Sequence, residues 1–253
     1  MEKAVAIIPA RYNSTRFPGK PLALIHGLPM IQQVYRRVVE ADCVERAIVA
    51  TDDPRIVRAV EAFGGEVILT RADHPTGTDR LAEVADNLAA DLIVNVQGDE
   101  PLIDPRMIDQ AVLPLIEHPE IQMGTVAGRI DSIDDFYNPN VVKVVLDQSG
   151  IALYFSRAPI PWQRDLSREQ LAEALPQLGL LRHIGLYVYR RDLLLNYPKW
   201  PKTPLESQEN LEQLRALERG VKLHVAVTEY SCHGVDTPAD LERVSQLMVR
   251  GIH

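Results

Sequence analysis

The stretch Ala4-Val5-Ala6-Ile7-Ile8-Pro9-Ala10-Arg11 decides the fold. Its apolar run, Ala4 to Ile8, is too short for a membrane span or a signal-peptide core and suits a strand buried on both faces. Runs of the same kind recur at Ala47 to Thr51, Glu66 to Leu69 and Leu92 to Val96, with helical patterns between them. Ile31, Val34, Tyr35, Val38 and Val39 follow Pro29 at the helical period, and Asp53-Pro54 opens a second helix that Gly64-Gly65 closes. This alternation predicts an α/β protein with a Rossmann-like doubly wound mixed sheet covered by helices on both faces.

Past Pro119 the pattern turns to short strands. Residues 143–147 (KVVLD) and 151–156 (IALYFS) flank Gln148-Ser149-Gly150 as a hairpin, so residues from about 119 to 205 are expected to form a smaller mixed-sheet extension with this antiparallel part. Leu211, Leu214 and Leu217 predict one amphipathic helix over Leu205 to Gly220. Thr237-Pro238-Ala239-Asp240 reads as cap, first-turn proline and third-position acid of a final helix, after a strand that ends before Asp236. Residues 161–170 (PWQRDLSREQ) read as a long mobile loop. No linker or repeat divides the chain, so a single domain over 1–253 is expected.

With 27 Lys+Arg against 35 Asp+Glu the formal charge is -8, which argues against a broad nucleic-acid or anionic-membrane footprint. Any anion site must be built locally. Cys43 and Cys232 stand far apart, suggesting neither a disulfide scaffold nor a zinc module, so a reducing, cytoplasmic setting is expected.

The segment Pro9 to Pro21 joins the first strand to the first helix, where doubly wound folds bind phosphates, and it carries Arg11, Arg16 and Lys20. Neither G-x-x-x-x-G-K-[ST] nor G-x-G-x-x-G is present. The loop either binds phosphate or is simply solvated, its cations snorkelling. Asp99 follows the fourth strand directly. If strand order reverses between the first and fourth strands, Asp99 faces the cationic loop across the switch point, an arrangement suited to a phosphate chain and its Mg²⁺. Alternatively Asp99 or Glu100 caps the helix near Pro105. Thr237 is a better cap than Asp236, which makes Asp236 a second candidate for Mg²⁺, and no His/Cys cluster asks for zinc or iron. Along Arg182 to Tyr189, Ile184, Leu186 and Val188 point one way while His183, Gly185, Tyr187 and Tyr189 point the other, a polar-aromatic face fit for a polyol.

These segments together carry a resemblance. PARYNSTRFPGKPL (9–22), TRADHPTGTDRLAE (70–83), VNVQGDEPLI (94–103), NPNVVKVV (138–145), LYFSRAPIPW (153–162), LRHIGLYVYR (181–190), LEQLR (211–215) and GVDTPADLERV (234–244) resemble the bacterial 3-deoxy-manno-octulosonate (Kdo) cytidylyltransferases, or CMP-Kdo synthetases. The resemblance implies the reaction of CTP with Kdo to CMP-Kdo and diphosphate, Mg²⁺ dependence, a homodimer, and a place in lipopolysaccharide inner-core synthesis. It implies that Arg11, Ser14, Arg16 and Lys20 hold the triphosphate and that Arg71, Asp73, Thr76, Gly77, Thr78 and Gln97 contact base and ribose. Thr76 stands where the family is expected to carry Ser, with Pro75 before it, so backbone contacts are implied there; the other reading of this segment is turn and cap chemistry around Gly77. Arg157, His183, Tyr187, Glu212 and Gln213 fall to the sugar, with the Arg157 fork matched to its carboxylate, which makes the extension over about 119–205 the sugar-binding part. Asp99 and Asp236 fall to Mg²⁺. The rivals are another sugar nucleotidyltransferase, which would share the first loop but not RHIGLYVYR or LEQLR, and a non-catalytic nucleotide-binding regulator on the same fold.

Overall fold

The first strand, β1 (Ala4–Ala10), lies in the middle of a nine-stranded sheet, buried throughout except at the half-buried Pro9. Its residues feed two cores. Ala4, Ala6, Ile8 and Ala10 pack on one face, Val5 and Ile7 on the other, as the two-residue period of a strand requires. The computed structural model describes residues 4–13 and 17–249, so Ser14 and Arg16 of the cationic loop lie outside the described residues.

A small hairpin, β2 (Leu24–Ile25) and β3 (Leu28–Pro29), leads into α1 (Met30–Val39), then β4 (Val44–Thr51), α2 (Pro54–Ala62), β5 (Glu66–Leu69), α3 (Gly77–Asp86), β6 (Leu92–Asn95) and α4 (Pro105–Glu117). β1 pairs in parallel with β4 on one side and β6 on the other, and β5 continues beyond β4. The chain therefore winds outward from β1 to β5 and returns across β1 for β6, which makes the gap between the ends of β1 and β6 the switch point. Helices cover both faces. Ile31, Val34 and Val38 of α1, Ile56 and Val60 of α2, and Met107, Ile108 and Val112 of α4 join one core; Leu81, Val84 and Ala85 of α3 join the other.

The second half supplies β7 (Met123–Arg129), α5 (Ile133–Tyr137), β8 (Lys143–Leu146), β9 (Ala152–Ser156), α6 (Arg168–Leu178), β10 (Leu181–Arg190), α7 (Arg191–Asn196), α8 (Pro204–Glu209), α9 (Leu214–Leu217), β11 (Leu223–Thr228) and α10 (Pro238–Val249). β10 runs antiparallel between β6 and β7, and β7 pairs in parallel with β11, giving the order β11-β7-β10-β6-β1-β4-β5. β8 and β9 branch off as the expected hairpin, turned by Asp147, whose Oδ1 accepts from Ser149 N at 2.8 Å and Ile151 N at 2.9 Å. β7 and β10 belong to the main sheet, so within residues 119–205 only this hairpin branches away. Among the described residues no helix is long and apolar enough to cross a membrane.

Two local expectations are corrected. Leu205 to Gly220 is not one helix: Asn210 takes a left-handed conformation (φ 51°), which asparagine tolerates better than most residues, and the chain folds back into α9. Arg215 then reaches Glu206 as a buried fork, Nε to Oε2 at 2.8 Å and Nη2 to Oε1 at 2.5 Å. Residues 161–170 are only partly loop, because Ser167 and Gln170 form a capping box that starts α6, and Leu171 and Leu175 bury themselves beside Ile130 and Phe136. The last strand ends at Thr228, ahead of Asp236 as expected, and residues 229–237 carry the chain back to the switch point.

Removing one partner of a buried ion pair strands the other charge, at a cost of about 3–5 kcal/mol. Arg215→Ala is therefore expected to lower unfolding stability by that much in a urea titration, with Glu206→Gln close behind. A loss under about 1 kcal/mol for both would mean that the fork is not what closes α8 on α9.

Candidate active site

The switch point is made tight by backbone contact. A Cβ on Gly98 would sit 2.7 Å from the carbonyl oxygen of Pro9, so only glycine lets residues 97–99 cross the end of β1 this closely. On the opposite side the cationic loop is pinned by Arg55, whose guanidinium stacks 3.3 Å over the Tyr12 ring, and by the Gly19 N–H, which donates to Tyr12 O at 2.8 Å. Gly19 is left-handed (φ 73°) and opens the single 3-10 turn over Lys20–Leu22 that starts with Lys20. Lys20 Nζ donates to Asp99 Oδ2 at 2.5 Å and to Val235 O at 2.8 Å, and lies 3.5 Å from Asp236 Oδ1. Val235 N in turn donates to Asp99 O at 2.9 Å.

Neither carboxylate serves as a helix cap. Asp104 caps α4, accepting from Arg106 N at 2.9 Å, and Thr237 Oγ1 accepts from Asp240 N at 3.2 Å at the start of α10. Asp99 and Asp236 instead converge on one positive charge. Two hard carboxylates suit a cation that takes its remaining ligands from phosphate and water, and among the described residues no cluster of three or more His, Cys, Asp or Glu builds a complete metal cage. Behind them, burial pushes the Glu100 carboxyl up to about 7, and the Cys232 thiol donates to it.

The cleft beside Lys20 has a volume of ≈ 480 Å³ and is lined by Arg11, Lys20, Thr76, Gly77, Gln97 and Asp99, together with Pro9, Asn13, Pro75 and Gly98. Arg11 lines it while its Nη2 donates to His74 O at 2.6 Å and Thr76 O at 3.1 Å. Thr76 caps α3 through a capping box with Asp79. Arg71 and Asp73 pair with each other at 3.2 Å on an exposed turn, and Arg71 lines a separate groove behind the cleft.

A second, smaller pocket of ≈ 150 Å³ adjoins the first, sharing Gly77 and Gln97 with it and adding Thr78, Asn95, Tyr187, Tyr189, Tyr197, Glu212 and Gln213. The turn between α8 and α9 delivers Glu212 and Gln213, and the Tyr197 hydroxyl holds that turn by donating to Glu212 O at 2.7 Å. Burial pushes the Glu212 carboxyl up, against the Thr78 hydroxyl that donates to it, and its Oε1 is buried without a hydrogen-bond partner. Burial also raises the Tyr187, Tyr189 and Tyr197 phenols, which keeps them neutral donors. His183 stands behind Tyr187, ring centroids 5.2 Å apart, with Thr125 Oγ1 3.0 Å from its Nε2. Arg157 lies outside both cavities and donates to the carbonyls of Glu209 (2.7 Å), Pro139 (2.9 Å) and Asn210 (3.4 Å).

Asn95, Tyr189 and Tyr197 line the small pocket without having been singled out as site residues. Asn95 leaves a signal in the sequence, an amide within the buried run Leu92 to Val96, and Tyr189 shares the polar face of Tyr187. Tyr197 leaves none.

A switch-point cleft carrying a lysine, two converging carboxylates and an adjoining polar pocket defines a nucleotidyltransferase of the doubly wound class. The cytidylyltransferase family model matches residues 5–223. The chain is 56% identical over 249 residues to the 3-deoxy-manno-octulosonate cytidylyltransferase of Trichlorobacter lovleyi, covering 98% of this chain and 99% of that one. It is 58% identical over 247 residues to the enzyme of the same name from Syntrophotalea carbinolica, with 98% of each covered. The solved structure of CMP:2-keto-3-deoxy-manno-octonic acid synthetase complexed with CTP matches with a TM-score of 0.91 at 45% identity, covering 99% of this chain and 100% of that chain. This chain belongs to the 3-deoxy-manno-octulosonate cytidylyltransferase family.

Burial pushes the His183 imidazole down to about 3, so in the folded protein it stays neutral and acts only as a hydrogen-bonding ring. The unfolded chain binds a proton there below about pH 6.5, so this histidine's contribution to stability is full above that value and is lost as pH falls toward 3. An imidazole NMR titration is expected to show no His183 midpoint between about pH 5 and 8; a midpoint near 6.5 would contradict the burial.

Proposed function

We propose that this chain is a Mg²⁺-dependent cytidylyltransferase that activates Kdo, converting CTP and 3-deoxy-D-manno-octulosonate to CMP-Kdo and diphosphate. The observation that carries the reading is the adjacency of the two cavities: Gly77 and Gln97 line both, so a nucleotide in the larger and a sugar in the smaller would meet beside them. The anomeric oxygen of Kdo attacks the α-phosphorus of CTP, the bond from that phosphorus to the β-phosphate bridging oxygen breaks, and diphosphate leaves with the electron pair. The hydroxyl proton passes to solvent.

In this reading Lys20 and Arg11 offset charge on the departing diphosphate, and Asp99 and Asp236 hold Mg²⁺. The cation, when bound, supplies charge neutralisation along the phosphates and acidifies the attacking hydroxyl. Thr76, Gly77 and Gln97 bound the nucleotide, Thr78 stands where the two cavities adjoin, and Arg71 and Asp73 are further nucleotide contacts offered from the exposed turn behind the cleft. Tyr187, Glu212 and Gln213 read the sugar hydroxyls, His183 backs Tyr187, and Arg157 serves the sugar through the 209–210 carbonyls it holds. The same reading places the enzyme in the cytoplasm as a homodimer that supplies lipopolysaccharide inner-core synthesis.

Diphosphate release with CTP, Kdo and Mg²⁺ tests the activity directly. Asp99→Asn and Asp236→Asn are each expected to abolish turnover while the fold survives, and near-normal turnover of either at limiting Mg²⁺ would remove that residue from the metal. Lys20→Ala is expected to lose at least about tenfold in turnover, with a melting temperature changed by only a few degrees. Arg157→Ala is expected to raise the KM for Kdo far more than that for CTP; equal increases would take Arg157 off the sugar side.

A further inference from the structure

We infer that His74 and Glu83 are positioning residues for nucleotide recognition, a pair that fixes the wall of the nucleotide cleft from behind. The inference rests on the cytidylyltransferase reading above.

The wall is residues 70–77, between β5 and α3. Pro75 lines both the ≈ 480 Å³ cleft and a ≈ 570 Å³ groove, and Arg71, Ala72, Asp73 and Pro75 are exposed. An exposed segment next to two cavities has few apolar contacts to hold it, so polar contacts set its position. α3 provides them from one stretch of its surface. Asp79 Oδ2 accepts from Thr76 N at 3.0 Å and from its hydroxyl at 2.6 Å, Arg80 Nη1 donates to Thr70 Oγ1, and Glu83 Oε2 accepts from the His74 ring and from Arg71 N at 3.2 Å.

His74 is gripped at both ends. Its carbonyl takes Arg11 Nη2 from the cleft side, while its ring, only 4% exposed, meets Glu83 behind. Glu83 lines the rear groove and not the cleft, so it acts on a nucleotide through the segment it holds, by the His74 ring and the Arg71 N–H. With the Glu83 pair lost, Arg11 is left holding a carbonyl on a wall free to shift. Both the Arg11 guanidinium and the Thr76-Gly77 backbone would then move relative to the phosphates and base. Recognition of CTP should suffer before that of the sugar, because Arg11, Pro75 and Thr76 line the cleft and not the small pocket, which shares only Gly77 with this wall and takes most of its lining from β6, β10, Tyr197 and the α8–α9 turn.

The test measures CTP binding by calorimetry without sugar, and the KM of each substrate by diphosphate release. His74→Leu removes the donor; His74→Gln keeps an amide donor for the carboxylate. His74→Leu is expected to weaken CTP binding about tenfold while the KM for Kdo stays within about twofold, and His74→Gln is expected to recover most of the loss. The double variant His74→Leu/Glu83→Gln should be no worse than His74→Leu, because the two residues act through one contact. Unchanged CTP affinity in His74→Leu overturns the inference, as does a His74→Gln no better than the leucine variant, or losses that multiply in the double variant. Should His74→Leu fail to fold, Glu83→Ala, which removes the acceptor on a part-exposed side chain, carries the same expectation for CTP affinity. If the wild type itself binds no CTP, the reading of the activity fails and this inference falls with it. If the wild type binds CTP and all variants match it, only this inference falls.

Discussion

The Lys20 ammonium holds together chain segments 79 and 215 residues away from it in sequence, and the geometry of the cleft depends on that contact. Asp99 ends the crossing that Gly98 makes over β1, and Asp236 arrives on the loop returning from the edge strand β11. Two carboxylates brought this close repel each other unless a positive charge stands between them. A lysine suits the task, since its ammonium is a compact charge with three donors, enough for a carboxylate, the Val235 carbonyl and the nearby second carboxylate. The switch-point topology, the glycine crossing and the short turn that begins at Gly19 all act to bring that one nitrogen into place.

The fold was legible because its central strands are buried on both faces and so write continuous apolar runs, while α1 and α2 carry caps and a clear 3.6 period. Reading failed where tertiary contacts outvote periodicity. Leu211, Leu214 and Leu217 keep helical spacing, yet Asn210 breaks the helix, since the Glu209 carboxylate is taken by Ser156 Oγ at 2.5 Å and Arg157 N at 2.9 Å and the Glu206–Arg215 fork draws the chain back. α6 was missed for a different reason: Ser167 and Gln170 announce a capping box, but the surrounding run of charged residues hides Leu171 and Leu175.

In the site, position was easier to read than role. Lys20, Asp99 and Asp236 were marked by lying at strand ends on an acidic chain, and they do converge. Arginines are harder, because a guanidinium aimed at phosphate and one aimed at backbone carbonyls look alike in sequence. Arg157 spends its donors on three carbonyls, Lys143 on three more, and Arg11 on two, the last while still facing the cleft. These cations satisfy acceptors that irregular backbone leaves unpaired around the sheet.

The small pocket follows a complementary logic. Its three tyrosines are held neutral by burial, and Glu212, raised by the same burial, keeps one oxygen without a partner. An orphaned buried acceptor is costly to keep unless something donates to it during function, and a ligand rich in hydroxyls is such a donor. Neutral phenols beside it can donate and accept in turn, so they fit a polyol without adding charge next to Asp99 and Asp236. The division of labour thus follows the electrostatics: charged groups gather where the phosphates pass, and neutral hydroxyls with one buried carboxyl line the place left for the sugar.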